Sequence, residues 1–207
     1  MTNKQFVALE KELLSSLPGF SIRGSLMFLP PVEELLRGFS FEGSSFDKTS
    51  FYVSVFVLPL CVPTAHLYFN FGDRVRHGRG ADRWSIERPH LVEELGAAVR
   101  RQAQEFLRPV ESLKDFVRVA KSFSLNNPHT RAAIAFSLIR IGEFKKGASV
   151  LNELLRQLDL KSDWQREMAE RAESLRGKLI LNPTEAQRQL ETWEAESAKE
   201  LGFHANA

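Results

Sequence analysis

Cysteine is almost missing from this chain. Its 207 residues hold one, Cys61, which excludes an internal disulfide framework and a zinc site built from several cysteines. That scarcity suits a reducing compartment, and a cytoplasmic protein is expected. No apolar run approaches the roughly 20 residues needed to span a bilayer. The N-terminus, MTNKQFVALEKELLSS, carries two glutamates where a secretory signal would need an uninterrupted apolar core. Charge of one sign is lacking as well. A formal net charge of +2 is too small to point to nucleic acid or to an anionic membrane surface.

Signatures of chemistry are equally scarce. The segment GDRVRHGRG is rich in glycine and arginine but lacks the lysine and Ser/Thr of a phosphate-binding loop, and no GxGxxG occurs. Neither a GxSxG elbow nor an HExxH zinc helix is present. The histidines, His66, His77, His90, His129 and His204, are scattered, and with one cysteine they compose no metal site. A nucleophilic Cys61–His66 pair is conceivable. Cys61, however, lies in a proline-bounded apolar connection, where an inert buried thiol is expected. No catalytic residue, metal ligand or cofactor is therefore assigned.

What the chain does have is an apolar stretch from Phe51 to Phe71, FYVSVFVLPLCVPTAHLYFNF. Its two runs are rich in β-branched and aromatic residues, and Pro59 and Pro63 fall between them. The pattern predicts a β-hairpin at the centre of an antiparallel sheet. Alternation places Leu67, Phe69 and Phe71 on one face with Phe51, Val53, Val55 and Val57. The opposite face then gathers Tyr52, Ser54, His66, Tyr68 and Asn70.

Around this hairpin the chain reads as strands first and helices afterwards, an α+β fold. Phe6, Leu9, Leu13 and Leu17 form one stripe of a helix over Lys4 to Leu17, stopped by Pro18-Gly19. Phe20 to Leu29 reads as extended, broken at Gly24. Pro31 to Arg37 reads as a short helix started by proline and closed by Gly38, followed by a short strand through Phe39 and Phe41. Gly72 to Arg88 reads as a loop with a short strand at Trp84 to Ile86. Helices are expected at Pro89 to Leu107, Leu113 to Phe123, Pro128 to Ile141, Phe144 to Leu158, Asp163 to Ile180 and Pro183 to Leu201. Asn127-Pro128 and Asn182-Pro183 each supply an N-cap followed by proline at the first helical position. Composition thus divides the chain into an antiparallel sheet region, 1–88, and a helical region, 89–207, able to pack as one unit.

One helical segment carries a resemblance. In PHTRAAIAFSLIRIGEFKKGASVLNELLRQL, Pro128 to Leu158, the spacing of Ile134, Ala135 and Leu138, the Gly142-Glu143-Phe144 turn, Gly147, Leu151 and Leu154 resembles a single tetratricopeptide-type helical hairpin. Small residues at Ala135 and Gly147 would let the two helices approach closely, with Phe144 at the base. The segment departs from the family's pattern at Arg131, where an aromatic is usual, and near Asp159, where a proline would close the repeat.

Two candidate surfaces follow. Tyr52, Ser54, His66, Tyr68 and Asn70 could line a shallow ligand pocket on the hairpin's second face. Five arginines fall within Gly72 to Arg88, while no lysine occurs between Phe51 and Arg108. Arg74, Arg76, Arg79 and Arg83, with Trp84 among them, would suit bidentate contacts to carboxylates. The expected role is a protein–protein interaction module, an adaptor, regulator or inhibitor-type protein engaging another protein with an acidic surface. The alternative is a small ligand-binding protein or enzyme using the hairpin's polar face.

Overall fold

The computed structural model describes residues 3–78 and 80–203 and has an α+β fold. It forms two compact units. The first contains the described residues up to Val32 together with Leu36–Leu58 and Phe71–Glu111; the second contains Glu33–Leu35, Pro59–Asn70 and the described residues from Ser112 onward. Composition changes after residue 88, but helix α2, Leu91–Gln102, belongs with the sheet because it packs on helix α1, Asn3–Leu14.

In the first unit a six-stranded sheet comprises β1 (Ser21–Arg23), β2 (Leu26–Phe28), β3 (Leu35–Gly43), β4 (Ser50–Pro59), β5 (Gly72–Arg74) and β6 (Arg83–Ser85). Strands β1 to β5 lie in sequence order. Strand β6 pairs with β4 on the same edge as β5, further along, matching Phe51 with Trp84 where β5 matches Val55 with Asp73. Helix α1 covers one sheet face, its Phe6 ring lying 6.4 Å from Phe41 and 6.0 Å from Phe51. After α2 the chain makes one wider π turn, Ala103–Leu107. There Arg37 donates to the carbonyls of Leu107 (3.3 Å) and Val110 (2.6 Å), satisfying groups that a helix end leaves orphaned.

Two expectations need correction. Pro31 to Gly38 is not a helix: β3 begins at Leu35 and runs through Gly38 to Gly43. A starting proline and a closing glycine are local signals, and pairing with β2 overrides them. The central hairpin is also built differently. Strand β4 forms as expected, but Pro63 to Asn70 is not its partner. Phe71 accepts from Val57 N (2.9 Å) and Val75 N donates to Val53 (2.7 Å), so the ladder is taken by the residues just beyond the apolar run. The run itself finds other partners. Thr64 N donates to Ser197 Oγ (3.2 Å), and Thr64 Oγ1 donates to the His66 carbonyl (2.6 Å). Leu67 and Phe69 are consequently only half-buried, whereas Phe71, Val53 and Val55 are buried.

The second unit is helical, with α3 (Leu113–Ala120), α4 (Pro128–Arg140), α5 (Phe144–Gln157), α6 (Asp163–Leu181) and α7 (Pro183–Glu200). Consecutive helices pack on one another, and α7 also packs on α4. The caps form as read: Asn127 accepts from His129 N (2.9 Å) and Asn182 from Thr184 N (3.1 Å), each beside a proline that has no N–H to leave unpaired. Gly147 is the close-approach position between α4 and α5. A Cβ there would stand 2.5 Å from Ile139 Cγ1 and 3.1 Å from the Ile139 backbone nitrogen. Gly147→Leu is expected to destabilise the protein by about 1–3 kcal/mol or more, read from denaturant unfolding. An unchanged midpoint would show that the helices can separate freely there.

Candidate functional site

The five residues expected to share a polar hairpin face do not share one. Tyr52 and Ser54 stay on β4, while His66, Tyr68 and Asn70 lie in the connection that is not a strand. Ser54 is buried, and Tyr52 is covered: the Arg74 guanidinium lies 4.8 Å from its ring centroid and is held there by Glu42 at 3.1 Å. His66 is exposed. Tyr68 and Asn70 are half-buried, with the Tyr68 hydroxyl buried and without a hydrogen-bond partner. Burial, and secondly the nearby Cys61, raise the pKa of that phenol, so it keeps its proton.

Cys61 is a free, fully buried thiol whose Sγ lies 3.7 Å from Ser137 Oγ. Burial pushes its pKa up to about 12, which makes it a poor nucleophile. Nearby, Arg140 gathers three carboxylates. Its Nε donates to both Glu194 oxygens at 3.1 Å, with Glu191 at 3.5 Å and Glu34 at 3.9 Å. Burial weighs against charge on Arg140, but these carboxylates more than offset it and raise its pKa. Burial raises Glu194 to about 7 despite the guanidinium. Three carboxylates on one guanidinium fasten Glu34 and α7 to the end of α4; the cluster is closed on itself, with little left to offer a ligand.

The arginine segment divides by role. Arg74 is spent on Tyr52 and Glu42. Trp84 is buried and donates from Nε1 to the Val75 carbonyl (2.9 Å), so it belongs to the core and not to a partner surface. Its register opposite Phe51 puts it on the face that α1 covers, a fact that composition cannot show. Arg83 is exposed on β6 opposite Tyr52, and Arg79 lies outside the described residues.

Arg76, by contrast, opens onto a groove of about 380 Å³ within the first unit. One wall is Arg76, His77 and Gly78; the other is a single face of α2, from Glu94 through Ala97 and Ala98 to Arg101, with Arg88 at its start. The two alanines keep the floor low. Arg88 is tied to Glu94 at 2.7 Å, and Arg76 reaches Asp73 only at 3.5 Å. His77 packs edge-on against Trp84, ring centroids 5.4 Å apart, and its Nδ1 is buried without a hydrogen-bond partner. Three guanidinium groups thus line the groove, with Glu94 the one carboxylate in its lining. Arg88 belongs to the arginine-rich segment already evident in the sequence; Arg101 was not legible there, because the α2 spacing that aims it at the loop has meaning only once the two elements meet.

No protein-family model, curated protein or solved structure matches the chain. Among the described residues, no three His, Cys, Asp or Glu side chains are grouped as a metal ion would require, and no helix is long and apolar enough to cross a membrane.

Proposed function

We propose that the protein is an interaction module, an adaptor or regulator of the cytoplasm, whose first unit receives an acidic segment of another protein. The groove bounded by Arg76, Arg88 and Arg101 carries this reading. Guanidinium forks suit carboxylates, and a buried unpaired imidazole nitrogen beside them gives the groove one more polar group to satisfy. The repeat-like helical pair at 128–158 points the same way. The groove is favoured over the hairpin's polar face, on which Tyr52 is covered and Ser54 is buried.

A fluorescein-labelled hexaglutamate peptide tests the reading by fluorescence anisotropy on the full chain. Saturable binding is expected, weakening as salt rises from about 0.05 M to about 0.3 M as the Debye length shrinks. Arg76→Ser combined with Arg101→Ser should weaken it by about tenfold or more, since charge-assisted hydrogen bonds contribute about 1.5–3 kcal/mol each. Arg83→Ser, off the groove, should leave it unchanged. Equal binding by the double variant, or tighter binding of a single-stranded oligonucleotide of equal charge, would overturn the proposal.

A further inference from the structure

The second unit contains a separate pocket of about 180 Å³ that plays no part in the groove reading. Three segments build it. The connection after β4 contributes Pro63 and Tyr68; α4 contributes His129, Ala132 and Phe136; α6 contributes Trp164, Met168 and the Glu167–Arg171 pair. Each helix supplies residues spaced by three, four or seven, so each presents one face.

The chemistry of the walls narrows what can enter. Phe136, Ala132 and Met168 form an apolar wall, and beside them the rings of His129 and Trp164 stack at 4.9 Å and 14°. Trp164 keeps 45 % of its surface exposed, so part of the indole stays open to a ligand. Burial lowers the pKa of His129, so the imidazole is held neutral. The only full charges on the wall, Glu167 and Arg171, sit one helical turn apart with 3.7 Å between them and cancel. Tyr68 lines the pocket, and its hydroxyl is buried and unpartnered, a state that is unfavourable without a hydrogen bond. Size sets the final limit: a dry cavity of about 150 Å³ accommodates benzene, so this one has room for a single ring and a substituent.

We propose that this pocket binds a small, uncharged aromatic molecule, its ring against Phe136 and Met168 and one hydrogen-bonding substituent on the Tyr68 hydroxyl. Planar walls select the ring, the cancelled Glu167–Arg171 pair disfavours a charged ligand, and the Tyr68 hydroxyl selects a substituent over a bare hydrocarbon.

Phenol, benzoate and benzylammonium are the probes, titrated into the full chain and followed by Trp164 fluorescence and calorimetry. Phenol is expected to saturate one site, with the two ions bound at least about tenfold more weakly, as expulsion of their hydration goes uncompensated. Tyr68→Phe should weaken phenol by about threefold to tenfold, the worth of one neutral hydrogen bond, and leave toluene binding unchanged. Met168→Trp, on a partly exposed helix position, should fill the pocket and abolish binding while the circular dichroism spectrum stays that of the parent protein. The proposal is overturned if phenol does not saturate, if benzoate or benzylammonium binds as well as phenol, or if either folded variant binds phenol like the parent.

Discussion

Gly38→Ala is expected to lower stability by about 3 kcal/mol, at the upper end for overpacking, although it adds a single methyl group. A Cβ at this position would lie 2.2 Å from the Met27 carbonyl oxygen and 2.8 Å from the Phe28 Cα. Both are backbone atoms of β2, paired to β3 in the register Met27 to Phe39 and Phe28 to Gly38. No side chain can swing aside, so relief requires the strands to part. Parting them would loosen the bond from Leu29 N to Arg37 O (3.0 Å) and unseat Met27, which is fully buried. Gly78→Ala makes the control, because a Cβ there meets nothing within 4 Å. Denaturant melts of the two variants, with amide exchange at Met27 and Leu29, report the result. Equal midpoints for both would show that β2 and β3 are not in such close approach.

A second large effect is expected at Glu10. This residue lies on the buried stripe of α1 between Leu9 and Leu13, and its carboxyl oxygens have no hydrogen-bond partner. Burial raises its pKa from 4.5 to about 8. The folded protein therefore holds a proton that the unfolded chain releases, and between those two values stability falls as pH rises. Below pH 4.5 both states are protonated and no penalty exists. Above about 8 it is complete, on the order of 4–5 kcal/mol. Glu10→Met removes the ionisable group while keeping an extended side chain. At pH 8 it should stabilise the protein and raise the melting temperature by roughly 10 °C, at about 2–4 °C per kcal/mol. At pH 4 it should change little.

Glu194, raised by burial to about 7, acts in the same direction, so the variant should keep a shallower decline that ends near neutrality. Asp47 acts oppositely. Hydrogen bonds, first from Ser50 and then from Thr49, lower its pKa to about 2, and the stability they provide is lost as pH falls from 3.8 toward that value. Thermal melts of parent and variant from about pH 2 to about pH 9 separate these contributions. Parallel curves would show that Glu10 is not the group responsible.

Glu10 also shows what a sequence can conceal. Phe6, Leu9, Leu13 and Leu17 define the buried stripe from spacing alone, and all four are buried. Position 10 falls within that stripe, yet a glutamate there reads as solvent-facing because carboxylates are seldom buried unpaired. Only the elements packed around the helix decide otherwise.

The same division runs through the whole protein. Residue order by itself determined the α+β class, strand β4 and the helices, because alternation, helical spacing and caps such as Asn127 and Asn182 act within a few residues of chain. Tertiary structure alone decided which segments pair. Leu67 and Phe69 have the alternation of a strand, but the edge of β4 accepts Phe71 to Val75 instead, while Thr64 turns to Ser197 on a helix more than a hundred residues away. Gly38 ends a helix by local rule and sits inside a strand by pairing. Arginines adjacent in sequence were likewise sorted by their neighbours in space: Arg74 covers Tyr52, whereas Arg76 meets Arg101 across a groove. Side-chain type sets what a residue can do, and hydrogen-bond partners brought from distant parts of the chain set what it does.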